Sequence, residues 1–266
     1  MTTYHARHGV CVLAVALLVT FALAPASSWA ETDKAPPDTE ERARRSADAG
    51  ALVPWTMSAR SDTQAAVVHL SGGYDAAKNG ATFESFVEAR IFGRLSFRAG
   101  GSYVGPDGEV RPLFAGKVDA LRQEGQGVDL AVAGGYEPHG FNTVRAVAAS
   151  VAVGRSFDRL RVQANVGAGI GLEEGERYGD TRLAALYRVG NRIRAGLDSR
   201  FRIDLERDTD EPEGEPDWEL VAGPLATVTL GRFAVTGGLG VSAIRLRLET
   251  NTEVGPLSYV GLGTVF

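Results

Sequence analysis

This sequence of 266 residues holds one cysteine and three lysines, and its longest apolar run is the fifteen residues from Val10 to Ala24. Each shortage excludes something. Cys11 lies inside that run, within a segment expected to be removed, so the mature chain would carry no thiol, no disulfide framework and no cysteine-based metal site. Lipid attachment is a poor alternative, because such a cysteine follows the apolar run and Cys11 opens it. Fifteen apolar residues fall short of the roughly 20 that a membrane-spanning helix needs, and no later stretch does better. The formal charge of −5 leaves no basic footprint for nucleic acid. With Lys34, Lys78 and Lys117 the only lysines, positive charge is almost wholly arginine.

Glycine is abundant instead: 33 in 266 residues, about 12% against a usual 7% or so. That density suits tight turns and barrel walls better than helices. The first thirty residues read as a secretory signal peptide. Arg7 gives a weakly basic start, the apolar run follows, Pro25 breaks it, and Ser28-Trp29-Ala30 offers a small-x-small cleavage pattern. Cleavage removes one arginine and no acid, taking the charge from −5 to −6. Residues 31–64 are polar, with Pro36-Pro37 and mixed charges. They are expected to be a flexible periplasmic segment, with one short helix over 38–47. A plug or periplasmic contact is the functional alternative for that segment.

From residue 65 onward the recurring feature is period-two alternation, the mark of strands with two unlike faces. In 192–206 one face takes Ile193, Ala195, Leu197, Ser199, Phe201, Ile203 and Leu205, while every charge falls on the other. Leu160, Val162, Ala164, Val166, Ala168 and Ile170 likewise oppose Arg161, Gln163 and Asn165. Phe83, Val87, Ala89 and Ile91 oppose Glu84, Glu88 and Arg90. Tight joints are expected at 93–94, 154–158, 190–191 and 231–232, with longer polar loops near 105–111, 137–142, 171–180, 206–217 and 248–255. Short and long connections then strictly take turns over about twelve strands. The expected fold is all-β: an antiparallel up-and-down transmembrane β-barrel spanning 65–266. Closure leaves no unpaired edge, as hydrocarbon demands. A soluble β-sandwich or lipocalin-like barrel alternates equally well. The export signal, the loop rhythm and a small-residue apolar face favour the membrane form.

The chain ends in LSYVGLGTVF, with Val260, Leu262, Thr264 and terminal Phe266 on one face. This is similar to the closing strand of Gram-negative outer-membrane β-barrel proteins of the porin-like kind, with Thr264 where an aromatic is common. The resemblance implies a bacterial outer-membrane location, a lipid and lipopolysaccharide environment, and recognition of Val260, Leu262 and Phe266 by the barrel-assembly machinery. It names no subfamily or solute.

With ionised side chains facing an enclosed interior, Arg145, Arg161, Arg182, Arg188, Arg194, Arg200 and Arg202 form a basic wall, offset mainly by Asp198 and Asp204. It faces a neutral one of Thr227, Thr229, Thr236, Gly238, Gly240 and Ser242. The functional expectation is a narrow pore or binding channel for small polar or anionic solutes. Beside it stands a structural or surface-interaction barrel whose lumen is filled by a side-chain network. A lipid-active enzyme is third, resting on His69 beside Ser71, with His139 in a loop and no G-x-S-x-G motif. The chain is therefore read as no enzyme and as needing no cofactor. The acidic loop 206–217 lacks calcium-loop spacing, since Pro212 and Glu213 stand where a ligand and a glycine belong. No metal is expected. Arg245 and Arg247 fall out of phase with Arg200, which requires a bulge or strand end near the rim.

Overall fold

The computed structural model describes Ala59 and residues 66–104, 109–136, 146–172, 177–205, 216–246 and 251–265. The strands are β1 (Ala66–Asp75), β2 (Gly80–Phe92), β3 (Leu95–Val104), β4 (Glu109–Leu121), β5 (Asp129–Tyr136) and β6 (Ala146–Phe157). They continue with β7 (Leu160–Gly171), β8 (Arg177–Arg188), β9 (Ile193–Asp204), β10 (Pro216–Leu230), β11 (Phe233–Leu246) and β12 (Thr252–Val265). Each pairs antiparallel with its sequence neighbours. β1 pairs with β12 from Val67↔Val265 to Asp75↔Leu257, and that last ladder closes the barrel. The twelve-strand, up-and-down expectation holds.

Strand ends differ from the sequence reading where glycine was taken for a turn. Gly154 lies within β6, paired with Gln163, and the joint is 158–159. β8 starts at Arg177 and β12 at Thr252, so those loops shrink to 172–176 and 247–251. The rhythm of short and long connections is not strict. At the end of the barrel that carries Ala66 and Val265, residues 122–128 include one helical turn, α1 (Gln123–Gln126), closed by Gly127 at φ 79°. Elsewhere at that end, Gly93 and Gly231 take φ of 51° and 62°, the left-handed backbone that two-residue hairpins demand and glycine adopts without strain. The signal peptide, the helix at 38–47, Arg145, His139, Arg247 and Phe266 lie outside the described residues.

The barrel is apolar outside and ionised inside, as the alternation implies. Outward positions include Ile91 at 64% exposure, Leu197 at 62% and Val260 at 63%, whereas Asp198 and Arg200 between them on β9 are 1% and 3% exposed. A water-soluble barrel would show the reverse sorting. Aromatic side chains stand outward near both ends: Phe92, Phe97, Tyr187 and Phe233 toward the chain termini, and Tyr74, Phe83 and Tyr103 toward the loops. Arg245 is exposed at the rim, opposite Trp218, where an extra residue of β10 between Pro216 and Trp218 shifts the ladder. That bulge lies on β10, while β11 keeps its phase and ends at Leu246, so Arg245 points outward at a strand end, the second of the two expected alternatives.

Candidate functional site: the barrel lumen

Inner-face residues sort into rows, because directly paired residues on adjacent strands point the same way. Nearest the termini, Arg188, Arg194, Thr227 and Thr236 make one row across β8 to β11. The next toward the loops is Leu186, Gly196, Leu225, Gly238 and Tyr259, followed by Ala184, Asp198, Gly223, Gly240 and Leu257. Beyond them come Arg182, Arg200, Val221 and Ser242, then Asp180, Arg202, Glu219 and Ile244. Two rows therefore set arginine directly against arginine, Arg188↔Arg194 and Arg182↔Arg200. Like charges so placed are destabilising unless something serves both. At the second pair Asp180 does so: its carboxylate accepts from Arg182 Nε at 2.6 Å and from Arg200 Nε at 2.8 Å. Arg202 lies 4.1 Å from the centroid of the Tyr178 ring.

Six of the seven arginines singled out from sequence stand at inner-face positions, with Arg161 on β7 and the other five on β8 and β9; Arg188, at the end of β8, is exposed at the rim and donates to the Asp158 carbonyl. The expected compensation by Asp198 and Asp204 was incomplete. Asp180, buried at 6%, holds two of these arginines, and Glu219 stands opposite Arg202. The sequence reading leaves Asp180 in the 171–180 loop; the structure puts it on β8, and the ladder registers show which arginines it reaches.

Two further groups escaped the sequence reading. Leu186, Val221, Leu225, Leu257 and Tyr259 form a buried apolar cluster on the inner face of β8, β10 and β12. It contains inward-facing large apolar residues that a charge-led reading passes over. The Tyr259 ring lies flat over its cross-strand partner Gly238, where a Cβ would come within 2.5 Å of Cε1. Tyr178 covers Gly169 in the same way. A bare glycine is what lets each ring lie against the wall instead of projecting into the lumen.

On the opposite half, Glu88 of β2 bridges Arg98 at 2.9 Å and Lys117 at 2.9 Å. His69 stacks on Phe86, centroids 4.5 Å apart and planes 10° from parallel, and the Arg98 guanidinium lies 4.1 Å from the same ring's centroid. His69 therefore packs against an aromatic ring rather than against a nucleophile. Ala59, from the segment ahead of β1, is buried inside the barrel against Ala131 and Ala152 and beside Gly154.

No family model matches the chain, and no curated protein matches it by sequence. Among solved structures it is similar to the KdgM porin, at 6% identity over 75% of this chain and 99% of that one with a TM-score of 0.51. It is similar also to the NanC porin, at 8% identity over 75% and 98% with a TM-score of 0.50. A looser likeness, TM-score 0.45, links it to the COG4313 outer membrane channel from Pseudomonas putida F1, at 10% identity over 88% and 100%. At such identities the likeness is one of fold. The chain has the closed twelve-strand architecture of outer-membrane porins.

Proposed function

We propose that this porin-type barrel is a passive, non-enzymatic channel of the bacterial outer membrane, exported by its signal peptide, whose lumen favours small anionic solutes. Both termini and the short joints then face the periplasm, and the loops face outward, which is the usual orientation of such barrels. Lipid, lipopolysaccharide and the assembly machinery, reading Val260, Leu262 and Phe266, are the partners this placement entails.

The observation that carries anion preference is the pair of arginine-to-arginine rows on β8 and β9. Cross-strand like-charge pairs cost stability, and at the Arg182–Arg200 pair Asp180 serves both guanidinium groups. Walls of arginine lower the barrier for anions in a narrow pore. Reversal potentials of the purified protein in planar bilayers under a salt gradient test the reading. An anion preference supports it, and a cation preference overturns it.

A second reading has its own support. The apolar cluster around Leu225 and the buried Thr227, Thr236 and Ser242 are what a barrel closed by its own side chains would contain, with function moved to the loops. In that case bilayers show no conductance steps, and exchanging loops 172–176 and 205–215 abolishes a surface interaction.

A further inference from the structure

At the loop end, residues 76–79 join β1 to β2 as a turn set by its own side chains. The Asp75 carboxylate accepts from the backbone N–H groups of Ala77 at 3.0 Å and Lys78 at 3.4 Å. Asn79 takes φ 49°, and the Tyr74 hydroxyl donates to its Oδ1 at 2.9 Å. Such an Asx arrangement fixes where the turn points. It points inward. Ala76 N–H donates to the Pro256 carbonyl at 3.0 Å, and a Cβ on Gly255, an inner-face position of β12, would lie 2.5 Å from Ala77 N and 2.9 Å from the Ala76 carbonyl carbon. The turn backbone rests on the patch of wall that Gly255 leaves bare.

From that seat Lys78 pairs with Glu219 on β10. β10 is three strands from β1, roughly 14 Å along a wall whose strands are about 4.8 Å apart. The reach passes over β12 and β11 and ends beside Arg202, which stands opposite Glu219. A short hairpin that simply continued the barrel wall would leave Lys78 at the rim. Here its charge is carried over the opening to an acid that is 3% exposed.

We propose that the turn 76–79 is a strap across the loop-end mouth, held by the Lys78–Glu219 ion pair and its seat on Gly255, and that it limits the size of anion the lumen admits. The proposal rests on the channel reading above and specifies where that channel is narrowest to an incoming solute. Two perturbations reach the strap by different routes. Lys78→Ala breaks the ion pair. Gly255→Val leaves every charge in place and lifts the turn, because backbone atoms occupy the space its side chain needs.

The full-length protein and both variants are reconstituted in planar bilayers, and gluconate-to-chloride permeability ratios are measured. Boil-dependent gel migration first verifies that each variant is folded. The expected result is a higher ratio in both variants, on the order of twofold, since a wider constriction discriminates less by size. The double exchange Lys78→Glu with Glu219→Lys restores the original ratio. Wild-type ratios in both single variants overturn the strap and leave the channel standing. Absence of conductance in the unaltered protein and in both variants overturns the channel and the strap together. Conductance confined to the variants supports the strap in its strongest form, as a closure.

Discussion

Replacing Gly238 with alanine adds a single methyl group, and its consequences follow from one geometric fact. That methyl would stand 2.5 Å from Cε1 of Tyr259, against a comfortable carbon–carbon separation of about 3.5–4.0 Å. The ring must therefore retreat by about 1 Å or more. It cannot move outward through the sheet, and Leu225 and Leu257 border it on the inner face. The open direction is the lumen. Overpacking of this kind costs about 1–3 kcal/mol, and a ring now 4% exposed would lose part of its burial. Urea titration, followed by the fraction of protein migrating as the folded band, should show that loss, and unit conductance should fall as the ring enters the pore. The cause is testable by a double-mutant cycle. With Tyr259 already reduced to alanine, Gly238→Ala should cost less than it does alone, the difference recovering roughly 1–3 kcal/mol. Equal costs in the two backgrounds would refute the idea that glycine is needed there as a shelf for the ring.

Other consequences are quicker to state. Arg194→Gln combined with Arg200→Gln should shift the reversal potential toward cations, with Arg200→Gln alone also weakening the fold because Asp180 loses a buried charged partner. Lys78 belongs to a turn outside the strands, and burial, then the nearby Arg200 and Arg202, pull its ammonium down to about 7 against the opposing effect of Asp75. Below that pH the lysine is charged and the pair with Glu219 holds. Above it the charge is lost, so gluconate permeability should climb between pH 6 and pH 8.5 in the unaltered protein and stay flat in Lys78→Ala. Protein extracted from membranes in detergent should migrate faster unboiled than boiled, and equal mobility would argue against a closed barrel.

Much of this architecture is written in alternation. Period-two sorting around Arg194, Arg200 and Arg202 was enough to place them inside, because a strand's side chains have only two directions to point. It also placed Ile193 and Leu197 outside. Glycine was harder to read. Gly93 and Gly231 are turns, Gly154 is strand, and Gly238 is a shelf for a tyrosine four strands' worth of sequence away from the nearest comparable case, Gly169 beneath Tyr178. The residue type is the same in all of them, and only the neighbour differs. Tyr259 and Leu225 were passed over for a similar reason. Within one strand they look like ordinary apolar residues, and their partnership exists only across β10, β11 and β12.

What the amino-acid order by itself determined is therefore local and periodic: the strands, their count, and which side chains are shielded from the surroundings. Those follow from backbone geometry and from the cost of placing charge against hydrocarbon. Which inner side chains meet was decided by ladder register and closure. Sliding a strand by two residues preserves its faces while changing every partner. Asp180 between two arginines and the ring of Tyr259 on Gly238 depend on the register of neighbouring strands, and Lys78 reaching Glu219 depends also on the β1–β12 seam that closes the sheet.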